Sequence, residues 1–172
     1  DTAGVAYFTA GYSAPSQLDT TGIRVDHSFT DKFKLFGRYG YSPSNQTTRG
    51  LDLANLTASR GSVQTVTIGA TNLISPRTTN VARFNFTENT AATQNSFDNF
   101  GGAQPLAFQS LPGLSPQDWF GFYFFLAERT NYVFAPSTAT QKQINLVDSF
   151  TTVAGRHTFK FGVDYRRLSN SQ

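Results

Sequence analysis

The sequence predicts an all-β fold: an antiparallel up-and-down meander of long strands, with short turns and long loops in alternation, forming part of a transmembrane β-barrel. Three observations predict it. The end of the chain alternates large apolar with polar or small residues. The composition replaces charge with Thr, Ser, Asn, Gly and aromatic side chains. The strand-like segments are separated by connections that are short, then long, then short again.

The alternation is clearest from Thr158 onward. Phe159, Phe161, Val163 and Tyr165 share one side, and Lys160, Gly162, Asp164 and Arg166 share the other. A strand repeats its side-chain direction every two residues, so this segment describes a sheet with one apolar and one wet face. Such a sheet suits a soluble core or a barrel in lipid.

Charged residues make up 15% of the 172, against roughly 25% in ordinary soluble domains. Their place is taken by small polar residues and by 17 Phe, 7 Tyr and one Trp. Thr and aromatics favour strands, while Gly and Asn favour turns. Net charge is +3, ten of the fourteen cations are Arg, and Arg166-Arg167 is the only adjacent basic pair. Nothing in these scattered cations resembles the basic stripe that a nucleic-acid partner requires, and none is expected. Without cysteine there is no disulfide framework and no thiolate metal site. Asn-X-Thr triplets at Asn45, Asn55 and Asn85 are the expected yield of so much Asn and Thr.

Taken in order, the first strand is expected over Thr21–Thr30, with Ile23, Val25, His27 and Phe29 opposed to Arg24, Asp26 and Ser28. A turn at Thr30–Phe33 leads to a second strand over Lys34–Ser42, and the two form a hairpin spanning 21–42. The polar stretch Pro43–Gly61 reads as a long loop. Strands over Ser62–Ile74 and Thr79–Thr90 flank the short turn Ser75–Thr78 and give a hairpin over 62–90. A very long connection, 91–140, carries Gly101-Gly102 and several prolines. Strands over Gln141–Thr152 and His157–Leu168, joined through Val153–Arg156, complete a hairpin over 141–168. Residues Gly4–Thr9 are read as the end of an earlier strand.

A compact soluble domain rarely contains a loop of some fifty residues. Outer-membrane barrels do, with short turns at one end and long loops at the other. Strands of about nine to twelve residues also have the length needed to cross a bilayer at a tilt. No apolar run approaches the length of a transmembrane helix. The chain begins at Asp1 without an initiator Met, so the true start is expected upstream.

Two segments carry a family resemblance. Gly155-Arg156-His157-Thr158-Phe159-Lys160-Phe161-Gly162-Val163-Asp164-Tyr165-Arg166-Arg167 resembles a barrel hairpin of TonB-dependent outer-membrane receptors, in particular the Oar-like group. Arg24–Tyr39 looks like another hairpin of the same barrel, and Thr79–Phe86 is compatible. The resemblance implies a segment of a receptor barrel in the bacterial outer membrane. It implies energy-coupled uptake of a bulky nutrient (a siderophore, oligosaccharide or peptide) by the complete protein. The implied partners are the lipid bilayer, the remainder of the barrel, a plug domain, and the TonB complex engaged through a further N-terminal part. No plug, TonB box or aromatic-terminated final strand is found in the chain itself.

Candidate site residues follow from the wet face: Arg24, Asp26, Arg38, Arg83, Lys160, Asp164 and Arg166 are expected to line the lumen, with carboxylates facing cations across strands. Asp148 shares the parity of Ile144, Leu146 and Phe150, which places it near an interface unless a bulge shifts the register. In the long connection, Trp119, Tyr123 and Tyr132 are possible ligand-contacting aromatics. The run Trp119–Leu126 also suits packing within the loop or a strand at an interfacial aromatic belt. His27 and His157, without Cys or a carboxylate cluster, make no metal site. No nucleophile elbow, phosphate loop or dinucleotide fingerprint is present, so neither enzyme activity nor a cofactor is expected. Two other readings stay open: a soluble β-sandwich binding carbohydrate or protein through Trp119, Tyr123 and Tyr132, and a surface or fibre subunit built by strand addition.

Overall fold

The computed structural model describes residues 9–50, 53–104, 113, 120–124, 129–133 and 136–171. The main sheet holds seven strands: β1 (Ser16–Leu18), β2 (Thr21–Ser28), β3 (Phe33–Arg49), β4 (Asn55–Ser75), β5 (Thr78–Phe97), β8 (Ser137–Ala154) and β9 (His157–Ser171). The order is β1-β3-β4-β5-β8-β9, with β2 also paired to β3. Strands β1 and β2 are one lane interrupted at Asp19-Thr20, so the predicted six-lane antiparallel meander is observed. A separate two-stranded sheet pairs β6 (Phe120–Phe124) with β7 (Arg129–Val133). A short 3-10 turn spans Phe100–Gly102.

The strands are much longer than predicted. Pro43–Arg49 continues β3, and Asn55–Gly61 begins β4, so most of the expected loop 43–61 is strand. The expected connection 91–140 likewise gives up 91–97 to β5 and 137–140 to β8. These stretches are largely polar or small on both sides, so they carry no clear period-two signal, but Thr-rich backbone pairs readily. Pro43, which has no N–H to donate, lies where the β1–β2 lane breaks, and its carbonyl accepts from Asp19 N–H at 3.1 Å. Of Gly4–Thr9, residues 4–8 lie outside the described residues.

The chain divides into two compact units. One comprises Leu18–Pro43, Gly61–Ala91 and Ala139–Gln172; the other comprises Asp1–Gln17, Ser44–Arg60 and Ala92–Thr138. In the first, three tight turns close the hairpins. Thr30 Oγ1 accepts from the N–H groups of Lys32 and Phe33 at 3.2 and 3.0 Å. Ser75 Oγ accepts from Arg77 N–H at 3.2 Å. Gly155, at φ +62°, opens the two-residue loop between Ala154 and His157; positive φ there gives the primed turn that matches strand twist.

Strands β8 and β9 pair without interruption from Thr140↔Ser171 to Ala154↔His157. Directly opposed residues share a face, so Phe150 and Phe161, and Leu146 and Tyr165, form one aromatic-rich face. Asn145 with Arg166 belongs to the other. Side-chain bonds extend the two faces across the unit. Tyr39 Oη donates to Gln64 Oε1 on the aromatic-rich side, and Asn85 bonds Asn145 on the polar side.

A sheet-on-sheet fold would bury one of these faces. Among the described residues Ala54, 7% exposed, is the one buried hydrophobic side chain, whereas Phe161 and Val163 are 63% and 69% exposed. Among the described residues no protein layer covers the aromatic-rich face, which suits a sheet against lipid better than a sandwich.

Candidate functional site

The polar face of the first unit gathers all seven residues predicted to line a lumen. Strand parity puts Arg24 and Asp26 of β2, Arg38 of β3, Arg83 of β5, and Lys160, Asp164 and Arg166 of β9 on the same side. Their pairing differs from expectation. Arg24 forks onto Asp26 of its own strand, with Nε and Nη2 at 2.8 and 2.7 Å. Arg166 holds Asp164 in the same way at 3.3 and 3.0 Å. Across the ladder Arg24 meets not a carboxylate but Arg38. The like-charge contact is relieved because Asp26 neutralises Arg24 and the Phe36 ring lies 4.1 Å beneath its guanidinium. Phe36 in turn covers Gly69 of β4, where any Cβ would run into the ring.

A feature absent from the sequence reading joins four strands on this face. Thr67 Oγ1 donates to Asn85 Oδ1 at 2.7 Å, Asn85 Nδ2 to Asn145 Oδ1 at 3.2 Å, and Asn145 Nδ2 to Asp164 Oδ1 at 2.6 Å. Asn145, at 7% exposure, is the buried polar residue of the sheet. The available signal was the parity of Asn85 and Asn145 with neighbouring polar positions; which amides would meet depends on register.

The aromatic-rich face carries its own polar residues. Asp148 stands opposite Val163 in the apolar row, in an unbroken register, so it belongs to this face and not to the lumen-lining set. It accepts from Asn80 Nδ2 at 2.8 Å. Further along the same rows, Lys142 pairs with Glu88 at 3.2 Å. The apolar stretch from Phe159 to Tyr165 gives way to Arg167 at the same level of the sheet. His27 packs edge-on to Phe29 at 4.4 Å and His157 against Phe159 at 6.2 Å, each within its own hairpin.

The second unit contains a salt bridge that sequence reasoning missed. Arg49 Nη1 and Nη2 reach the two Asp98 oxygens at 2.8 and 2.6 Å, and Nη1 also donates to Leu53 O at 2.7 Å. The guanidinium lies 4.2 Å over the Phe100 ring, which meets Tyr12 edge-on. The Arg49 hydrogen bonds hold the Asp98 carboxyl below the usual carboxylate range, helped by the Phe100 N–H and opposed by desolvation. Arg49 is raised by the same hydrogen bonds. Forty-nine positions separate the partners, and no local motif links them. Of the candidate loop aromatics, Trp119 lies outside the described residues. The β6–β7 register sets Tyr123 opposite Thr130 and Tyr132 opposite Gly121, so this part of the predicted connection is a hairpin.

Residues 1–172 match the family model described as an outer membrane beta barrel domain. The chain belongs to this family. No curated protein and no solved structure matches it. The barrel segment sits in the bacterial outer membrane, and the two faces acquire their meaning there. The aromatic-rich rows of an outer-membrane barrel face lipid and the polar rows face the lumen. Tyr39, Tyr41 and Tyr165 stand exposed in the aromatic-rich rows. From His157 to Tyr165 the strand rises about 27 Å; tilted near 40° it covers about 20 Å of the roughly 25 Å apolar band of such barrels.

Proposed function

We propose that the chain forms part of the wall of a TonB-dependent receptor of the Oar-like group. In the complete protein, energy-coupled uptake of a bulky nutrient would run past its polar face. The observation that carries this reading is strand length. A bilayer needs about 9–11 tilted residues, yet β4, β5 and β8 have 21, 20 and 18. Their apolar rows end near Glu88 and Lys142, and the remaining residues are mostly polar or small. Strands that outrun the membrane supply a wall for a ligand too large for a simple pore. The hairpin motifs around Arg24–Tyr39 and Gly155–Arg167 support the same family. A plug domain and the TonB complex would be the partners, and no step of chemistry is required of this chain. The test is uptake of labelled ferric siderophores, oligosaccharides and peptides by cells carrying the full-length protein. Uptake of one class that stops on deletion of TonB supports the reading. Passive uptake indifferent to TonB overturns it.

A further inference from the structure

The lumen-facing rows of the first unit hold six cations, Arg24, Lys34, Arg38, Arg83, Lys160 and Arg166, against two carboxylates, Asp26 and Asp164. Both carboxylates are occupied by arginines of their own strands. Lys34, Arg38, Arg83 and Lys160 are exposed and have no carboxylate partner among the described residues. The lipid-facing rows show no such surplus: Lys142 is paired to Glu88, and Arg167 is matched in number by Asp148.

We propose that this face binds small polyanionic solutes, molecules bearing several phosphate or carboxylate groups, through the four unpaired cations. A wall backed by lipid is a low-dielectric surface, so charges of one sign along it focus their field into the aqueous side and concentrate counter-charged solutes. Rings of Arg and Lys are the lining that selects anions in pores. Arg38 and Arg83 offer planar forks suited to phosphate or carboxylate, and Lys34 and Lys160 add point charges. The four are spread over β3, β5 and β9, which makes a track of weak, salt-sensitive contacts. Lys34 shares one depression with Ser28 and Thr71, whose hydroxyls add neutral hydrogen-bonding groups. The inference rests on the lumen assignment of this face and not on energy coupling, so loss of TonB dependence leaves it standing.

The test is calorimetric binding of inositol hexakisphosphate to the full-length protein purified in detergent, with inositol as the neutral control. The expected result is binding of the polyanion alone, falling steeply as salt rises. The combined variant Lys34→Gln/Arg38→Gln/Arg83→Gln/Lys160→Gln should weaken it about tenfold or more. Lys142→Gln/Arg167→Gln on the lipid side should leave it unchanged. If the fourfold variant does not fold, Lys34→Gln/Arg38→Gln and Arg83→Gln/Lys160→Gln, tested separately, should each weaken binding several-fold. No binding, as when an acidic protein segment already covers the face, overturns the proposal. Equal binding by the lumen variants, or equal loss in the lipid-side variant, also overturns it.

Discussion

Asp148 accepts a 2.8 Å hydrogen bond from Asn80 within the aromatic-rich rows, between Leu146 and Phe150 on its own strand and opposite Val163 on the next. A carboxyl group in hydrocarbon is tolerated when a donor satisfies it. Removing only the donor leaves an acceptor stranded in lipid. Asn80→Ala should therefore destabilise the folded barrel by about 1–3 kcal/mol. Adding Asp148→Leu to that variant should recover most of the loss. Urea unfolding from lipid vesicles checks both, and equal stability of Asn80→Ala and wild type would refute the pairing.

Phe161 is 63% exposed and lies opposite Phe150 on the same face. Phe161→Arg should cost roughly 2–4 kcal/mol near the bilayer midplane and block membrane insertion. Lys160→Gln, one residue away on the lumen side, should insert normally. Unimpaired insertion of Phe161→Arg would reverse the assignment of faces.

The Arg49–Asp98 bridge makes the second unit sensitive to acid. The folded pKa of Asp98 is lowered, so its contribution is present above the ordinary carboxylate pKa and is lost as pH falls through the lower folded value. Backbone amides tied to this cluster, such as Asp98 N–H bonded to Ala54 O at 3.0 Å, should lose hydrogen-exchange protection in acid, and only below the usual carboxylate range. Asp98→Asn should show the reduced protection at neutral pH and little further change on acidification.

At Gly69 the Phe36 ring occupies the space a side chain would need. Gly69→Ala should cost about 1–3 kcal/mol through forced repacking. It should also release Arg24 from its stacking partner. Phe36→Leu in the same chain should relieve the clash, and thermal unfolding of the single and double variants measures the coupling.

The central parts of six strands were legible because lipid on one side and water on the other force alternation, as at Phe159–Tyr165. The strand extensions were not. Where Pro43–Arg49 and Asn55–Gly61 run, both sides are largely polar or small, and a Ser-, Thr- and Asn-rich strand has the composition of a loop. The polar-face residues were legible as a set, since parity alone places Arg24, Arg83 and Lys160 together. Their partners were not, because Arg24–Asp26 and Arg166–Asp164 are rotamer choices along a strand that period-two reasoning ignores. Arg49 and Asp98 meet only after β4 and β5 have paired, and short-range pattern holds no trace of that event.

The chain of amides from Thr67 through Asn85 and Asn145 to Asp164 acts as a proofreading device for assembly. Should β8 slip by one position against β5, Asn145 would swing toward hydrocarbon, Leu146 would turn into water, and the Asn85–Asn145 link would part. A misthreaded hairpin thus incurs its penalty on both sides of the wall at once, which leaves a single alignment of the four strands strongly preferred.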